Sequence, residues 1–330
     1  MMRPRTKALV GRTDGAGRCA IEFLDRGFTL ELDGVEFPDL WDIVVLMDGS
    51  RTFGGVPALS GPDEASVIEF YARLEGLGLA TLAPRMRPDA LVDTGEFARA
   101  IEGATGLWRS CIFKRPLFAA LLDEQGPPGL LTGLLTETFF YVGAAEGAIE
   151  LALRTHADAI CPEVREALIA ERGHQPLIAG CLESLGEQAP SGDRRPLLST
   201  TNLESFLRSE ANRDLSAFLG LFLISEMRPE DREGGEDFVN RLERRFALRT
   251  GTLAPLGEHA AIDLDQQHSN LLVRHLTWRG GPLPYRDASR IINACHDYKH
   301  LLDAWYDDIL TTYGARSHRP GRRVELDDVR

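Results

Sequence analysis

The stretch ALIAERGHQPLIAGCLESLG, residues 167–186, is predicted to form one amphipathic helix. Residues three, four and seven positions apart share a helix face, so Glu171 and His174 lie together on its apolar side. Acidic side chains are rarely buried without a partner, because an unpaired buried charge is costly. The pair therefore indicates a bound metal ion, with an ion pair of Glu171 to Arg172 or Arg165 at a helix edge as the alternative.

Three further apolar stretches are predicted to be helices, and each directs acidic or histidine side chains towards its apolar side. These side chains are Glu137 in residues 130–155, Glu226 in residues 214–227, and His259 with Asp263 in residues 257–278. Facing helices that supply Glu, Asp and His are typical of a dinuclear metal site in a helical bundle. A shell of oxygen and imidazole ligands favours iron or manganese over metals that prefer thiolates.

The segments that carry these residues resemble the haem-oxygenase-like diiron oxidases. They are ETFFYV from Glu137, ERGHQPLIAGCLESLG from Glu171, LGLFLISE up to Glu226 and EHAAIDLDQQH around His259. The resemblance covers about residues 105–315 and extends to the superfamily that includes TenA and the pyrroloquinoline quinone oxidase. It implies the helical fold of haem oxygenase without haem, two bound iron ions, and activation of O2.

The last metal-binding segment departs from the pattern of that family. The family motif reads His-x3-Asp-x2-His, whereas Gln266 takes the third position after His259 and Asp263. His268, five residues after Asp263, is predicted to join the site through a local π-turn, since such turns occur mostly at functional sites. Asp265 as a substitute, a weakly held second iron and a cofactor-free relative are the alternatives that this departure leaves open.

Two other pairs of residues invite a functional interpretation. His296 and His300 have the four-residue spacing of a zinc site, but the apolar stripe of their helix lies elsewhere. We therefore predict that both face solvent, outside the metal site. Tyr141 and Tyr298 have a radical or hydrogen-bonding role as one interpretation and ordinary core packing as the other, because a buried tyrosine usually finds a partner for its hydroxyl.

The first 86 residues predict a small α+β domain of the winged-helix type. A hairpin is predicted over residues 19–32, where Asp25-Arg26-Gly27 separates two alternating apolar runs. Helices follow over residues 40–47 and from residue 63 to about 77, and residues 79–82 return as a strand.

Two segments of this domain resemble the peptide-recognition domain of systems that modify ribosomally synthesised peptides. They are LWDIVVLMDGSRTF, residues 40–53, and VIEFYARLEGLGLATL, residues 67–82. The resemblance, to the type found in the pyrroloquinoline quinone biosynthesis chaperone, implies that a leader peptide adds as an extra strand to a sheet edge. A winged-helix DNA reader is the alternative, but residues 1–86 hold nine Lys and Arg against thirteen Asp and Glu, which disfavours it.

The whole chain of 330 residues has a formal net charge of −13, which argues against binding nucleic acid through phosphate contacts. Five widely spaced cysteines, no signal peptide and no long apolar span predict a cytoplasmic protein without a disulfide framework or a membrane partner. We expect a domain over residues 1–86, a linker over 87–106 that is helical near 96–102, a helical domain over 107–315 and a charged tail over 316–330.

These patterns together predict a mainly α-helical, non-haem diiron oxidase or oxygenase that modifies a residue of a ribosomally synthesised peptide. Its predicted cofactors are two iron ions and O2, and its predicted partners are the leader peptide and an external electron donor, with a homodimer left open. One alternative is an oxidase of a free amino acid or fatty acid, in which the first domain is only structural. A ligand-sensing winged-helix protein without enzymatic activity is the other.

Overall fold

The structure is a computed structural model, and two compact units divide the chain. It describes residues 4–6, 10–13, 19–23, 26–30, 43–44, 46–47, 55–56, 63–77, 79–82, 90–112, 114–191, 194–226, 232–258 and 270–314. The first unit comprises residues 1–92, 99–111 and 284–286, and the second comprises residues 93–98, 112–283 and 287–330.

The described strands of the first unit include two antiparallel arrangements. β1 (Pro4–Thr6) pairs with β5 (Ala80–Leu82), and β2 (Val10–Thr13), β3 (Cys19–Phe23) and β4 (Arg26–Leu30) form a three-stranded sheet in that order. The register pairs Phe23 with Arg26, so two residues of sequence separate β3 from β4. The predicted hairpin is confirmed, and its second strand begins earlier than predicted, since Arg26 and Gly27 already belong to β4.

Helix α1 (Glu64–Gly76) supplies an apolar face to this unit. The Asp63 side chain accepts a hydrogen bond of 2.8 Å from the backbone N–H of Ser66, which caps the helix at its N-terminus. Val67, Phe70 and Leu74 recur at helical spacing and are buried. The predicted helix and the return strand that follows it are confirmed, while the winged-helix assignment stays a prediction.

Helices make up most of the rest of the chain, which confirms the mainly α fold class. Their bounds are α2 (Thr94–Ile112), α3 (Pro116–Leu122), α4 (Leu130–Thr155), α5 (Pro162–Ala170), α6 (Gln175–Ser184), α7 (Leu198–Arg213), α8 (Leu215–Ser225), α9 (Arg232–Arg245), α10 (Leu271–Arg279) and α11 (Tyr285–Gly314). Two short strands, β6 (Leu91–Val92) and β7 (Leu283–Pro284), complete the described elements. Helix α2 runs through most of the segment expected to be a linker, well beyond the helical part predicted there.

Helix α4 is the central element of the second unit. It has the predicted bounds, and buried residues occur along its whole length, including Leu130, Glu137 and Ala152. It packs against α7, α6 and α5, and α8 packs against α7 and α10. A helix that is apolar on all sides has no face suited to solvent, so other helices must cover several of its sides.

The prediction of a single helix over residues 167–186 is wrong. The structure has two helices, α5 and α6, separated at Glu171-Arg172-Gly173-His174. Gly173 has a φ of +96°, a conformation that side-chain-bearing residues rarely adopt, and Pro176 lies at the start of α6, where proline is well tolerated. Glu171 thus ends one helix and His174 precedes the next.

The predicted helix over residues 214–227 is also shorter than expected. The Asp214 side chain accepts hydrogen bonds from the backbone N–H groups of Ser216 and Ala217, and so caps α8. The helix ends at Ser225, and Glu226 has an extended backbone with ψ of 146°. Within the described ranges, no helix combines the length and apolar character needed to cross a membrane.

Candidate functional site

A small cavity in the second unit brings two of the predicted acidic residues together. Its volume is about 130 Å³. Helix α4, the α5–α6 junction and the end of α8 provide most of its wall, whose residues include Tyr141, Glu146, Glu171, Phe222 and Glu226. Acidic side chains around a largely apolar cavity are a suitable surrounding for a cation.

Glu171 and His174 form a close pair at the α5–α6 junction. The Nδ1 atom of His174 lies 3.1 Å from the Oε2 atom of Glu171, and the two residues are only 5% and 7% exposed. The arginines considered as alternatives contact other groups: Arg172 lies 3.5 Å from Glu150, and Arg165 donates to the carbonyl of Ala157. A carboxylate beside an imidazole in a buried position can supply both an oxygen and a nitrogen ligand.

Glu226 provides the second carboxylate of the cavity. It is 9% exposed, and its Oε1 atom accepts a hydrogen bond of 2.9 Å from the Ser225 hydroxyl. The extended backbone after α8 directs the chain away from the helix axis at this residue. Glu226 therefore belongs to the cavity wall as a helix-terminal residue rather than as part of a continuous apolar helix.

Tyr141 and Tyr298 form a buried hydroxyl pair next to Glu226. Their hydroxyl groups are hydrogen-bonded to each other, and the Tyr298 ring stacks on Phe206 with 6.3 Å between centroids. Burial raises the pKa of both phenols, and the negative charge of Glu226 raises it further. Both hydroxyls stay protonated at neutral pH. Because one of them donates its proton to the other, the pair keeps one O–H that can donate a further hydrogen bond near the cavity.

The structure places Glu137 in a hydrogen-bond network outside the set of residues that line the cavity. Its Oε2 atom accepts hydrogen bonds from the backbone N–H of Leu197 at 3.1 Å and from the Thr200 hydroxyl at 2.5 Å. Its Oε1 atom accepts from the Tyr313 hydroxyl at 2.8 Å. The carboxylate is fully buried and caps the N-terminus of α7, where a negative charge is stabilised by the helix dipole.

Glu146 is a functional candidate that the sequence reasoning missed. Its Oε1 atom accepts hydrogen bonds of 3.0 Å from the backbone N–H groups of both Gly173 and Gln175. The signal that could have found it is the run of small residues around it on α4, because these allow another backbone to approach. At Gly143 the lack of a side chain leaves room for the Gln175 side chain, since a Cβ atom there would lie 2.3 Å from it.

The last three of the seven predicted ligands lie outside the described residues. His259, Asp263 and His268 all fall within residues 259–269. Among the residues that the structure does describe, no three His, Cys, Asp or Glu side chains are close enough to hold a metal ion. The predicted donors that are described, the carboxylates of Glu137, Glu171 and Glu226 and the imidazole of His174, fit iron or manganese chemically. Convergence of all seven residues on one site stays a prediction.

The histidines of α11 lie on its exposed side, as predicted. His296 and His300 are exposed, whereas Cys295, Tyr298 and Leu302 on the same helix are buried. The Nε2 atoms of the two histidines are 3.1 Å apart. They are therefore placed apart from the residues that line the cavity.

Comparisons with known proteins identify the fold. Neither a known family nor a curated protein matches the sequence. Among solved structures, the chain is similar to a domain of unknown function with a haem oxygenase-like fold from Shewanella denitrificans OS217, with a TM-score of 0.55. The chain has a haem-oxygenase-like fold. The two chains are 16% identical, over 72% of this chain and all of the other.

The haem-oxygenase-like fold is the one that the resemblance at Glu137, Glu171, Glu226 and His259 implies. That part of the prediction is confirmed. An identity of 16% supports a shared fold and carries no activity with it, and the matched domain has no assigned function. A closer relation to TenA, the metal ions and the peptide-recognition role of the first domain are therefore not established by this likeness.

Proposed function

We propose that this protein is a non-haem diiron, O2-dependent oxidase or oxygenase that modifies a residue of a ribosomally synthesised peptide. The observation that carries the proposal is the cavity whose wall includes both Glu171 and Glu226, with His174 beside Glu171. Helical bundles use facing carboxylates and histidines of this kind to hold two metal ions. The haem-oxygenase-like fold supports the same assignment, because the resembling diiron oxidases are expected to have it.

The residues that would hold the metal ions include two from the wall of the cavity, Glu171 and Glu226, and His174 beside Glu171. The remaining predicted ligands are Glu137, His259, Asp263 and His268. Two iron ions bound there would supply O2 binding and one-electron redox steps.

The side chains of the protein itself would position the substrate and exclude water. Apolar residues such as Phe222 and Leu256 line the same cavity as the acidic ones, so charges within it act in a medium of low polarity. The hydroxyl pair of Tyr141 and Tyr298, in which one hydroxyl donates to the other, would donate its remaining O–H to an oxygen atom near Glu226. Glu146 would hold the Glu171–His174 junction in place through the N–H groups of Gly173 and Gln175.

The first domain would capture the leader part of the peptide. Its sheet has β2 and β4 as the outer strands among the described elements, and the outer strand of a sheet offers backbone groups to an added strand. Capture of a leader raises the local concentration of the attached residue at the second site. A cavity of about 130 Å³ accommodates one side chain rather than a long segment.

The same cavity size favours a second candidate, oxidation of a free small metabolite such as an amino acid. Drug-sized ligands need pockets of roughly 300 Å³ or more. A cavity of about 130 Å³ suits a small molecule as well as a side chain. Under this candidate the first domain does not affect turnover, whereas peptide modification requires it.

The decisive experiment measures iron content and O2 consumption of anaerobically purified protein. We expect about two iron ions per chain, with consumption of O2 after reduction, and a large loss of both in Glu226→Gln. Glu183→Gln on the exposed side of α6 is the matched control and should behave as the parent. A chain that binds no iron, or an unchanged Glu226→Gln variant, would refute the assignment.

A further inference from the structure

A pair of imidazoles on α11 is arranged like a chelating site. His296 and His300 are one helical turn apart, and their rings meet edge to face with centroids 4.4 Å apart. The two Nε2 atoms face each other at 3.1 Å. In the absence of a cation, one ring must donate its N–H to the other, because two ring lone pairs at this distance repel.

The helix that carries the pair is held firmly by its opposite side. Tyr298 lies between the two histidines in sequence, and Cys295 and Leu302 lie on either side of them. All three are fully or almost fully buried. Residues four apart on a helix are neighbours on one face, so the backbone already brings the rings together. Little conformational freedom is then lost when a ligand binds to both.

The charged groups near the pair are largely neutralised by one another. Lys299 forms an ion pair with Asp303, and Arg115 forms an ion pair with Asp307. Desolvation is the first cause that lowers the pKa of both His296 and His300, followed by the charge of the other histidine or of Lys299. Both rings are therefore neutral near pH 7, which is the form that binds metals.

We propose that His296 and His300 form a surface site for a divalent transition metal ion, independent of the cavity and of the function proposed for it. With metal–nitrogen bonds of 2.0–2.1 Å, a separation of 3.1 Å gives a chelate angle of about 95–102°. This angle lies between the octahedral and tetrahedral values, and the exposed face leaves the other positions to water. Among Ni²⁺, Cu²⁺ and Zn²⁺, Cu²⁺ binds nitrogen ligands most tightly.

The test is a titration of the full-length, iron-loaded protein with Cu²⁺, followed by calorimetry and by electron paramagnetic resonance. The parent protein should bind one Cu²⁺ with a spectrum that indicates two nitrogen ligands. In His296→Gln or His300→Gln, the affinity of this site should fall roughly tenfold or more, because only one anchoring ligand remains.

A variant with shifted spacing provides the matched control. Asp297→His combined with His300→Gln keeps two histidines, but adjacent helix positions do not face each other. This double variant should lose the two-nitrogen signal and bind Cu²⁺ as weakly as His300→Gln. Binding equal to that of the parent in any of these variants would overturn the proposal. A titration of protein that holds no iron gives the same comparison, so failure of the diiron assignment does not affect this test.

Discussion

The Oε2 atom of Glu137 accepts a hydrogen bond of 2.5 Å from the Thr200 hydroxyl, which joins the middle of α4 to the first turn of α7. The Thr200 hydroxyl in turn accepts from the Trp305 indole N–H at 2.9 Å. A predicted metal ligand therefore also serves as the cap of a helix. The two roles can be separated by mutation.

Thr200→Val should lower the free energy of unfolding by about 1–3 kcal/mol, because it removes one of three hydrogen bonds to the buried Glu137 carboxylate and leaves the buried Trp305 indole N–H without its Thr200 acceptor. Its iron content should equal that of the parent, whereas Glu137→Gln should lower both stability and iron content. Urea unfolding and iron analysis provide the measurements. Thr201→Val, at an exposed neighbouring position, is the control and should change stability by less than about 0.5 kcal/mol. Full iron content in Glu137→Gln would show that Glu137 is only a cap.

Gly173→Ala should disturb the junction that orients Glu171 and His174. The φ of +96° at this residue is strained for alanine, at a cost of roughly 1–3 kcal/mol. We expect lower thermal stability together with reduced iron content, since both predicted ligands flank the strained position. Gly234→Ala within α9, which has open space at its Cβ position, should keep its iron. An unperturbed Gly173→Ala variant would mean that the break between α5 and α6 is unimportant for the site.

His268→Ala should lower the iron content of the protein, and His296→Ala should leave it unchanged. The reason is that His268 is the predicted third ligand after His259 and Asp263, while His296 is exposed on α11. Iron analysis of both variants, purified anaerobically, checks the prediction. The reverse pattern would show that the iron site is on α11 and that the predicted site is wrong.

Methylation of backbone nitrogens in a precursor peptide should weaken its binding to this protein more than changes to the side chains of the peptide do. Strand addition relies on main-chain hydrogen bonds, so peptides methylated at alternate nitrogens should lose affinity only in the register that faces the sheet. Fluorescence anisotropy with labelled candidate precursor peptides, each tested with and without the methyl groups, measures this. Equal loss in both registers, or tight binding of duplex DNA instead, would contradict the peptide-recognition role.

The stability of the protein should depend on pH through His296. Partial desolvation of the ring first, then the charges of His300 and Lys299, lowers the pKa of His296 to about 4 from an ordinary value of 6.5, although the outer side of the residue is exposed. Between these pH values the unfolded chain binds a proton at this residue and the folded chain does not. The contribution of neutral His296 to the free energy of unfolding is therefore fully present above pH 6.5 and is lost as the pH falls towards 4. The melting temperature of His296→Gln should therefore fall less steeply over this interval. Parallel melting curves for the two proteins would contradict this expectation.

The spacing of apolar residues was enough to predict those helices whose sequence has no glycine or proline signal against it. Residues 130–155 are apolar almost throughout, and α4 has those bounds. The same method failed at residues 167–186, because the apolar spacing continues across a break that Gly173 and Pro176 impose on the backbone. A proline three residues after a glycine was the available signal, and it should have outweighed the spacing.

The candidate site was only partly predictable for a related reason. Glu171 and Glu226 line one cavity, although both were expected inside helices and each follows a helix end. Glu146 was missed because its partners are backbone N–H groups of a distant segment, and no side-chain pattern records such a contact. Glu137 has partners from α7 and α11 that depend on how the helices pack.

Helix α4 constrains how the second unit can move. Glu137 holds the first turn of α7 and the Tyr313 hydroxyl, and nine residues later Glu146 holds the two N–H groups at the start of α6. A slide of α4 by one turn, about 5.4 Å, would break all five of these hydrogen bonds together. The α4 side of the cavity is thus rigid, and the end of α8 with Leu256 is the part of its described wall that these five hydrogen bonds do not hold.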